Sequence, residues 1–186
     1  MIEFEPDGRG VEPVKVACGG QPSGNIRRVP AEQFYHFQWH QLRVQGGRPG
    51  LKPGGPVSGT FLPTHEAHAR TPARLVIGFF VGLHMRGAAE LREFLPSPDH
   101  TAQIAKAQVA LSVERVWQGR GIGTALMAEA LHTARERGIE QLHVTCHALN
   151  LRTQRIAERF GATIGFEGCE CFAEITLRDM ARGTGS

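Results

Sequence analysis

The sequence predicts an α/β layer fold, and three observations carry that expectation. In the second half, strand-length apolar stretches alternate with segments of helical period, in the order strand, helix, strand, helix, two strands. A glycine-rich turn, Gln118-Gly-Arg-Gly-Ile-Gly123, joins the first of those strands directly to the first of those helices. The third observation is size: 186 residues, 41% hydrophobic and 21% charged, suit one globular domain with its own core.

Residues 1–24 are rich in Gly and Pro, show no period and read as an irregular N-terminal arm. A single domain is expected over 25–180, with 181–186 as a short tail. Asn25–Val29 reads as the first strand. Pro30 suits the first turn of a helix running to about Val44, with Phe34, Tyr35, Phe37, Trp39 and Leu42 as its apolar surface. His36 and His40 stand four apart on that helix and read as a solvated or rim pair, not as metal ligands. The segment 46–72 is too rich in Gly and Pro, and too long, for an ordinary connection, and reads as a functional or disordered loop. Within it, His65-Glu-Ala-His68 sets its histidines three apart instead of the four a zinc-protease helix requires.

Leu75–Val81 reads as a buried strand, and Ala88–Phe94 as its neighbour. Pro96–Thr101 is a turn region. Ala107–Val113 alternates, with Val109, Leu111 and Val113 on one face. Beyond the glycine turn, Leu126, Met127, Ala130, Leu131 and Ala134 fall at helical spacing, and Gly138 closes the helix. Leu142–Cys146 is the next strand. Asn150 caps a helix whose Thr153, Ile156, Ala157 and Phe160 face inward, and Gly161 ends it. Thr163–Glu167 and Cys171–Leu177 form a hairpin around Gly168.

Composition narrows the function classes. The formal charge is +3, and Lys15, Lys52 and Lys106 are the only lysines. No basic block with interleaved aromatics occurs, so no nucleic-acid partner is expected. The apolar run Leu75–Leu83 is too short to span a bilayer, so no membrane association is expected either. The acidic Met1–Asp7 makes a poor signal peptide, and a cytoplasmic location is the expectation. Cys18, Cys146, Cys169 and Cys171 are too few and irregular for a disulfide framework. The spacing of Cys169 and Cys171 is unlike that of structural zinc sites, even with Cys146-His147 approaching across a sheet, and no metal is expected.

The glycine turn carries the chemistry. At a strand-to-helix junction its backbone N–H groups point outward at a helix N-terminus, a ready anion site. Gly119, Gly121 and Gly123 remove the side chains that would hold a phosphate away. A nucleotide P-loop needs a lysine and then Ser or Thr after the second glycine, where this chain has Ile122 and Gly123. A dinucleotide fingerprint needs a third glycine where Thr124 stands, and an acidic end to the next strand, which here ends Cys146-His147. What remains is Gln/Arg-x-x-Gly-x-Gly/Ala, satisfied by Gln118–Gly123. With Trp117 just before the motif, Arg135-Glu-Arg-Gly138, Asn150 followed eleven positions later by Gly161, and this order of elements, the chain resembles the GCN5-related N-acetyltransferase (GNAT) superfamily. The resemblance covers about Leu75–Leu177 and, more loosely, Arg28–Leu42.

That resemblance implies a mixed, mostly antiparallel central sheet with helices on both faces, its strands splaying around the glycine turn. It implies acetyl-CoA as co-substrate, its pyrophosphate held by the backbone amides of Gln118, Gly119, Arg120, Gly121, Ile122, Gly123 and Thr124, with the Arg120 side chain as a further contact. Leu111 and Val113 would offer backbone groups to the pantetheine arm, which Asn150 would also contact. Arg155 and Arg159 would meet the phosphates or solvate their helix. The reaction implied is direct attack on the thioester by a primary amine of a small molecule or protein. Homodimers are common in the superfamily, and a homodimer is an expectation here.

Such a transfer needs a neutral amine, and a free alkyl ammonium has a pKa of about 10.4. A backbone N–H near Val113 would polarise the thioester carbonyl. Many superfamily members protonate the thiolate with a tyrosine seven residues after the asparagine; that position is Ala157, and the sole tyrosine is Tyr35. Some place a glutamate near the start of the strand before the motif, where this chain has Ala107 and Gln108. Glu90 on the preceding strand is the first candidate base and His147 the second. His143 lies about 13 Å back on the same strand as His147 and cannot share its proton. Glu114 is expected to face solvent. The alternative reading is an acyl-CoA-binding sensor that has lost catalysis.

Overall fold

The computed structural model describes residues 14–16, 23–44, 74–94 and 104–177. Most of the expected N-terminal arm, the 46–72 segment, the turn at 96–101 and the tail at 181–186 lie outside the described residues. The strands are β1 (Val14–Val16), β2 (Gly24–Val29), β3 (Arg74–Val81), β4 (His84–Glu93), β5 (Lys106–Val113), β6 (Gln141–His147), β7 (Thr163–Glu167) and β8 (Glu170–Thr176). The helices are α1 (Phe34–Val44), α2 (Ile122–Glu136) and α3 (Leu151–Arg159). β1 is an addition to the sequence reading, which took all of 1–24 as irregular. It is three residues long, too short to show a period, and exists by pairing antiparallel with β2.

The strands form one sheet in the order β1-β2-β3-β4-β5-β6-β8-β7. Every pairing is antiparallel except β5 with β6. That single parallel step follows from α2, which carries the chain from the end of β5 back to the start of β6. The expected mixed, mostly antiparallel sheet is therefore present, with helices on both faces.

Alternation in the strands separates two cores. Ile77, Phe79, Ala89, Leu91, Val109, Leu142 and Val144 pack with Leu126, Met127, Ala130 and Leu131 of α2 and Ala157 of α3. On the opposite face Val29, Val76, Phe80, Met85 and Ala88 pack with Phe37 of α1. The buried residues of α1 are Phe37, His40 and Gln41, whereas Tyr35, Trp39 and Leu42 are exposed. This corrects the aromatic-faced helix expected from composition. The stripe that meets the sheet contains two polar residues, because the sheet surface beneath them offers polar partners.

The register of β5 and β6 positions the site. Their parallel pairing runs from Lys106–Gln141 to Val109–Val144 and stops there, although β5 continues to Val113 and β6 to His147. β5 keeps its other neighbour: Gly87 still pairs with Val113. The two central strands thus part at their C-terminal ends, and a gap opens through the sheet beside the glycine turn.

Candidate functional site

The turn sits at the mouth of that gap. Gly119 and Gly121 have φ of +75° and +77°, and Gly121 is the N-cap of α2. The first helical bond runs from Ala125 N–H to the Gly121 carbonyl at 2.9 Å. The N–H groups of Ile122, Gly123 and Thr124 therefore have no acceptor within the helix, and the positive end of the helix dipole lies among them. A Cβ added at Gly119 or Gly121 would meet nothing within 4 Å, so the hollow is open. Gly123 does a different job: its added Cβ would stand 2.9 Å from Ile156 Cδ1, so its bareness lets α2 approach α3.

Arg120 lies with its guanidinium 5.2 Å from the Trp117 ring centre, and its Nη2 donates to the Val116 carbonyl at 2.9 Å. Its Nη1 is buried without a partner. An open hollow, unpaired helical N–H groups and an unpaired guanidinium nitrogen together fit a phosphorylated ligand.

The gap itself is lined from both strands. Leu111 and Val113 turn their side chains toward the α2 side. The Gln118 carboxamide donates to the Val113 carbonyl at 2.9 Å and accepts from Arg152 on α3. Arg152, which sequence reasoning passed over, is the α3 arginine that reaches the turn; Arg155 and Arg159 are exposed on the same helix. Asn150 caps α3, its side chain accepting from Thr153 N–H at 3.3 Å. Ala157 has no exposed surface and belongs to the core beneath α3, so the superfamily's tyrosine position is a packing position here.

The two proposed bases are placed apart. Glu90 is buried on the α1 face, and its Oε1 accepts from Arg74 Nε at 2.6 Å and Arg92 Nε at 2.7 Å. A carboxylate paired with two guanidiniums is held as an anion, with both lone pairs of Oε1 engaged. His147 ends β6 in the open, its Nδ1 accepting from Leu149 N–H at 3.1 Å. His143, on the same face of β6, faces Glu174 Oε2 at 3.8 Å; burial lowers its pKa, Glu174 opposing and Lys106 adding. Cys146 stands opposite Cys171 across β6 and β8; burial and the Cys171 neighbour push its thiol up to about 12. Among the described residues no group of three His, Cys, Asp or Glu stands where it could hold a metal ion.

Glu114 is the clearest correction. Expected in solvent, it is buried, and it accepts from Arg43 Nε at 2.6 Å and Arg86 Nη1 at 3.0 Å. Burial pushes its carboxyl up, but hydrogen bonds and charge from the two arginines outweigh that and hold it below its usual value. Its Oε1 also lies 3.6 Å from His40 Nδ1. His40 has no exposed surface, and its Nε2 lies 3.0 Å from Ser112 Oγ. Gln41 Nε2 donates to the same oxygen at 3.4 Å. Burial lowers the His40 pKa to about 4, with Glu114 and the Ser112 backbone pulling up and Arg43 pulling down. Beyond Arg43 a cavity of about 350 Å³ opens against His36, Trp39, Leu83, His84 and Met85.

These features can be set beside known proteins. The model of the Acetyltransferase (GNAT) family matches residues 59–162, more than half of the chain. The GNAT domain of S. lividans PAT superposes with a TM-score of 0.64 at 20% identity, covering 89% of this chain and 97% of that one. A GNAT-family acetyltransferase from Streptococcus pneumoniae gives 0.57 at 13% identity, covering 80% and 96%. A cAMP-binding acyltransferase from Mycobacterium smegmatis gives 0.55 at 18% identity, covering 94% of this chain and 50% of that one, so this chain spans about half its length. No curated protein matches. At these identities the solved structures speak for the fold, and the family model carries the assignment: the chain belongs to the GNAT acetyltransferase family.

Proposed function

We propose that this protein is an acetyl-CoA-dependent N-acetyltransferase that acts on a primary amine of a small molecule or protein. The observation that carries the reading is the junction of the open glycine turn with the gap between β5 and β6. The backbone N–H groups of residues 118–124, the α2 dipole and Arg120 hold the pyrophosphate, each anion contact at the helix end contributing about 0.3–1 kcal/mol. Arg152 takes a further phosphate oxygen when it releases Gln118. Val113 and Leu111 offer backbone groups to the arm that enters the gap, and Asn150 contacts it from α3. Acetyl-CoA bound there supplies an activated acyl thioester. The acceptor comes from the α1 face, where Ala110 is exposed beside the gap. With Ala157 in the core, Glu90 between two arginines, and His147 Nδ1 engaged by Leu149 N–H so that the neutral ring carries its proton on Nε2, the departing thiolate and the amine exchange their protons with water.

The same residues favour a second reading, an acyl-CoA sensor without catalysis. Calorimetric titration with acetyl-CoA and a thiol-release assay with a panel of amines separate the readings. Saturable binding together with CoA release on at least one amine is expected. Binding with no release on any amine would establish the sensor, and no saturable binding would remove both.

A further inference from the structure

The gap divides the site between two faces of the sheet. Leu111 and Val113 turn toward α2 and the glycine turn, so the intervening Ser112 turns toward α1. Ser112 is half-buried and stands where β5 has already left β6. It is therefore the hydroxyl at the edge of the gap on the side away from the phosphate hollow. We propose that Ser112 Oγ receives an N–H of the acceptor amine, and that His40 and Gln41 fix the direction in which it does so. This rests on the acetyltransferase reading.

A hydroxyl has one proton and two lone pairs to dispose of. His40 Nδ1 is buried without a hydrogen-bond partner, and the group nearest to it, at 3.6 Å, is the Glu114 carboxylate, which only accepts, so electrostatics favours the ring proton on Nδ1. Nε2 is then a bare acceptor, and the Ser112 hydroxyl donates to it at 3.0 Å. Gln41 Nε2 donates into one Ser112 lone pair at 3.4 Å. One lone pair remains, and its natural partner is an N–H donor. One further observation marks the spot as built for a polar ligand: Gln41 Oε1 is buried without a partner. Glu114, beside the ring, is held in place by Arg43 and Arg86.

An amine that gives one N–H to Ser112 keeps its own lone pair free for the acyl carbon, which is the orientation attack requires. As the C–N bond forms the C–S bond breaks, the sulfur takes the electron pair, and the nitrogen loses one proton to water. Ser112 and His40 end with the protons they began with. Ser112 is thus a residue that touches substrate, and His40 is a positioning residue.

Two measurements on the full chain decide this. Nitrogen-15 NMR of the histidine rings at pH 7 is expected to show His40 protonated at Nδ1 and bare at Nε2, with the Nε2 signal moving in Ser112→Ala. A proton on Nε2 would overturn the proposal, because Ser112 would then accept from both neighbours. Kinetics with benzylamine, spermidine and a lysine-containing peptide give the second. For any of these amines that is acetylated, Ser112→Ala is expected to lose at least tenfold in kcat/KM for the amine. The KM for acetyl-CoA should stay within twofold, and Ser112→Thr should restore most of the rate. A Ser112→Ala protein with wild-type kcat/KM would overturn the proposal. A wild-type chain that binds acetyl-CoA but acetylates none of the three counts against the acetyltransferase reading, while the His40 tautomer still decides the Ser112 geometry.

Discussion

His40 shows how a single residue can couple the site to stability. Its ring has no exposed surface and a pKa of about 4, against about 6.5 for an unfolded histidine. Between those values the unfolded chain binds a proton that the folded chain refuses, so stability rises with pH across that window. Above pH 6.5 this contribution is level; as pH falls from 6.5 toward 4 it removes roughly 3 kcal/mol. Glu114 and Arg43 are the charged groups acting on the ring. Glu114 titrates below the usual carboxylate range, so its ion pairs persist while His40 passes through most of its window. Urea unfolding at pH 7 and pH 5 should differ by about 2 kcal/mol, with most of that difference gone in His40→Gln. Identical pH dependence in the two proteins would assign the slope to other groups. None of this was legible in the sequence. A histidine four places from another on an aromatic-rich helix reads as surface, and the partners of Glu114 lie 71 and 28 residues away in the chain.

Elements were far more legible than pairings, because their signals are local. The alternation of 107–113, the helical spacing after the glycine turn, the Asn150 cap and the hairpin at Gly168 all appear where sequence placed them. The three-residue β1 has no such signal and depends on its neighbour. The glycine turn was legible in kind but not in its division of labour, since only the three-dimensional approach of Ile156 separates Gly123 from Gly119 and Gly121. That division can be measured. Gly121→Ala should cost about 1–2 kcal/mol of stability, from a Cβ at φ +77°. It should also weaken acetyl-CoA binding more than tenfold, because the methyl occupies the hollow. Gly161 is the control: its φ is +78° and its added Cβ is equally unobstructed, but it lies at the far end of α3. Gly161→Ala should show a similar loss on chemical unfolding with calorimetric affinity unchanged. Equal affinities for the two variants would detach the hollow from the ligand.

At the scale of the molecule, one departure from regular pairing gives the fold its use. Six antiparallel pairings and one parallel step would make an unbroken sheet, but β5 follows β4 while β6 follows β8, and the two halves diverge after Val109 and Val144. In the proposed reaction, donor and acceptor meet through the sheet from opposite faces, with α2 and α3 on one side and α1 on the other. Sequence reached this divergence only by resemblance, since no local pattern records which strand ends fail to pair. A ligand seated in the gap supplies hydrogen bonds that the missing pairing leaves open, so its binding should have a local signature and a global one. Hydrogen exchange with saturating acetyl-CoA should slow amides in 111–113 and 119–124, while those of the β3–β4 pair change little, being already paired on both sides. At a hundredfold excess over Kd the linkage is about 2.7 kcal/mol. For a chain of this size that amounts to a Tm rise of roughly 5–10 °C by calorimetry. The two signatures test different claims: a Tm rise with protection spread evenly over the sheet would keep the ligand but move it out of the gap, whereas protection confined to 111–113 and 119–124 places it there.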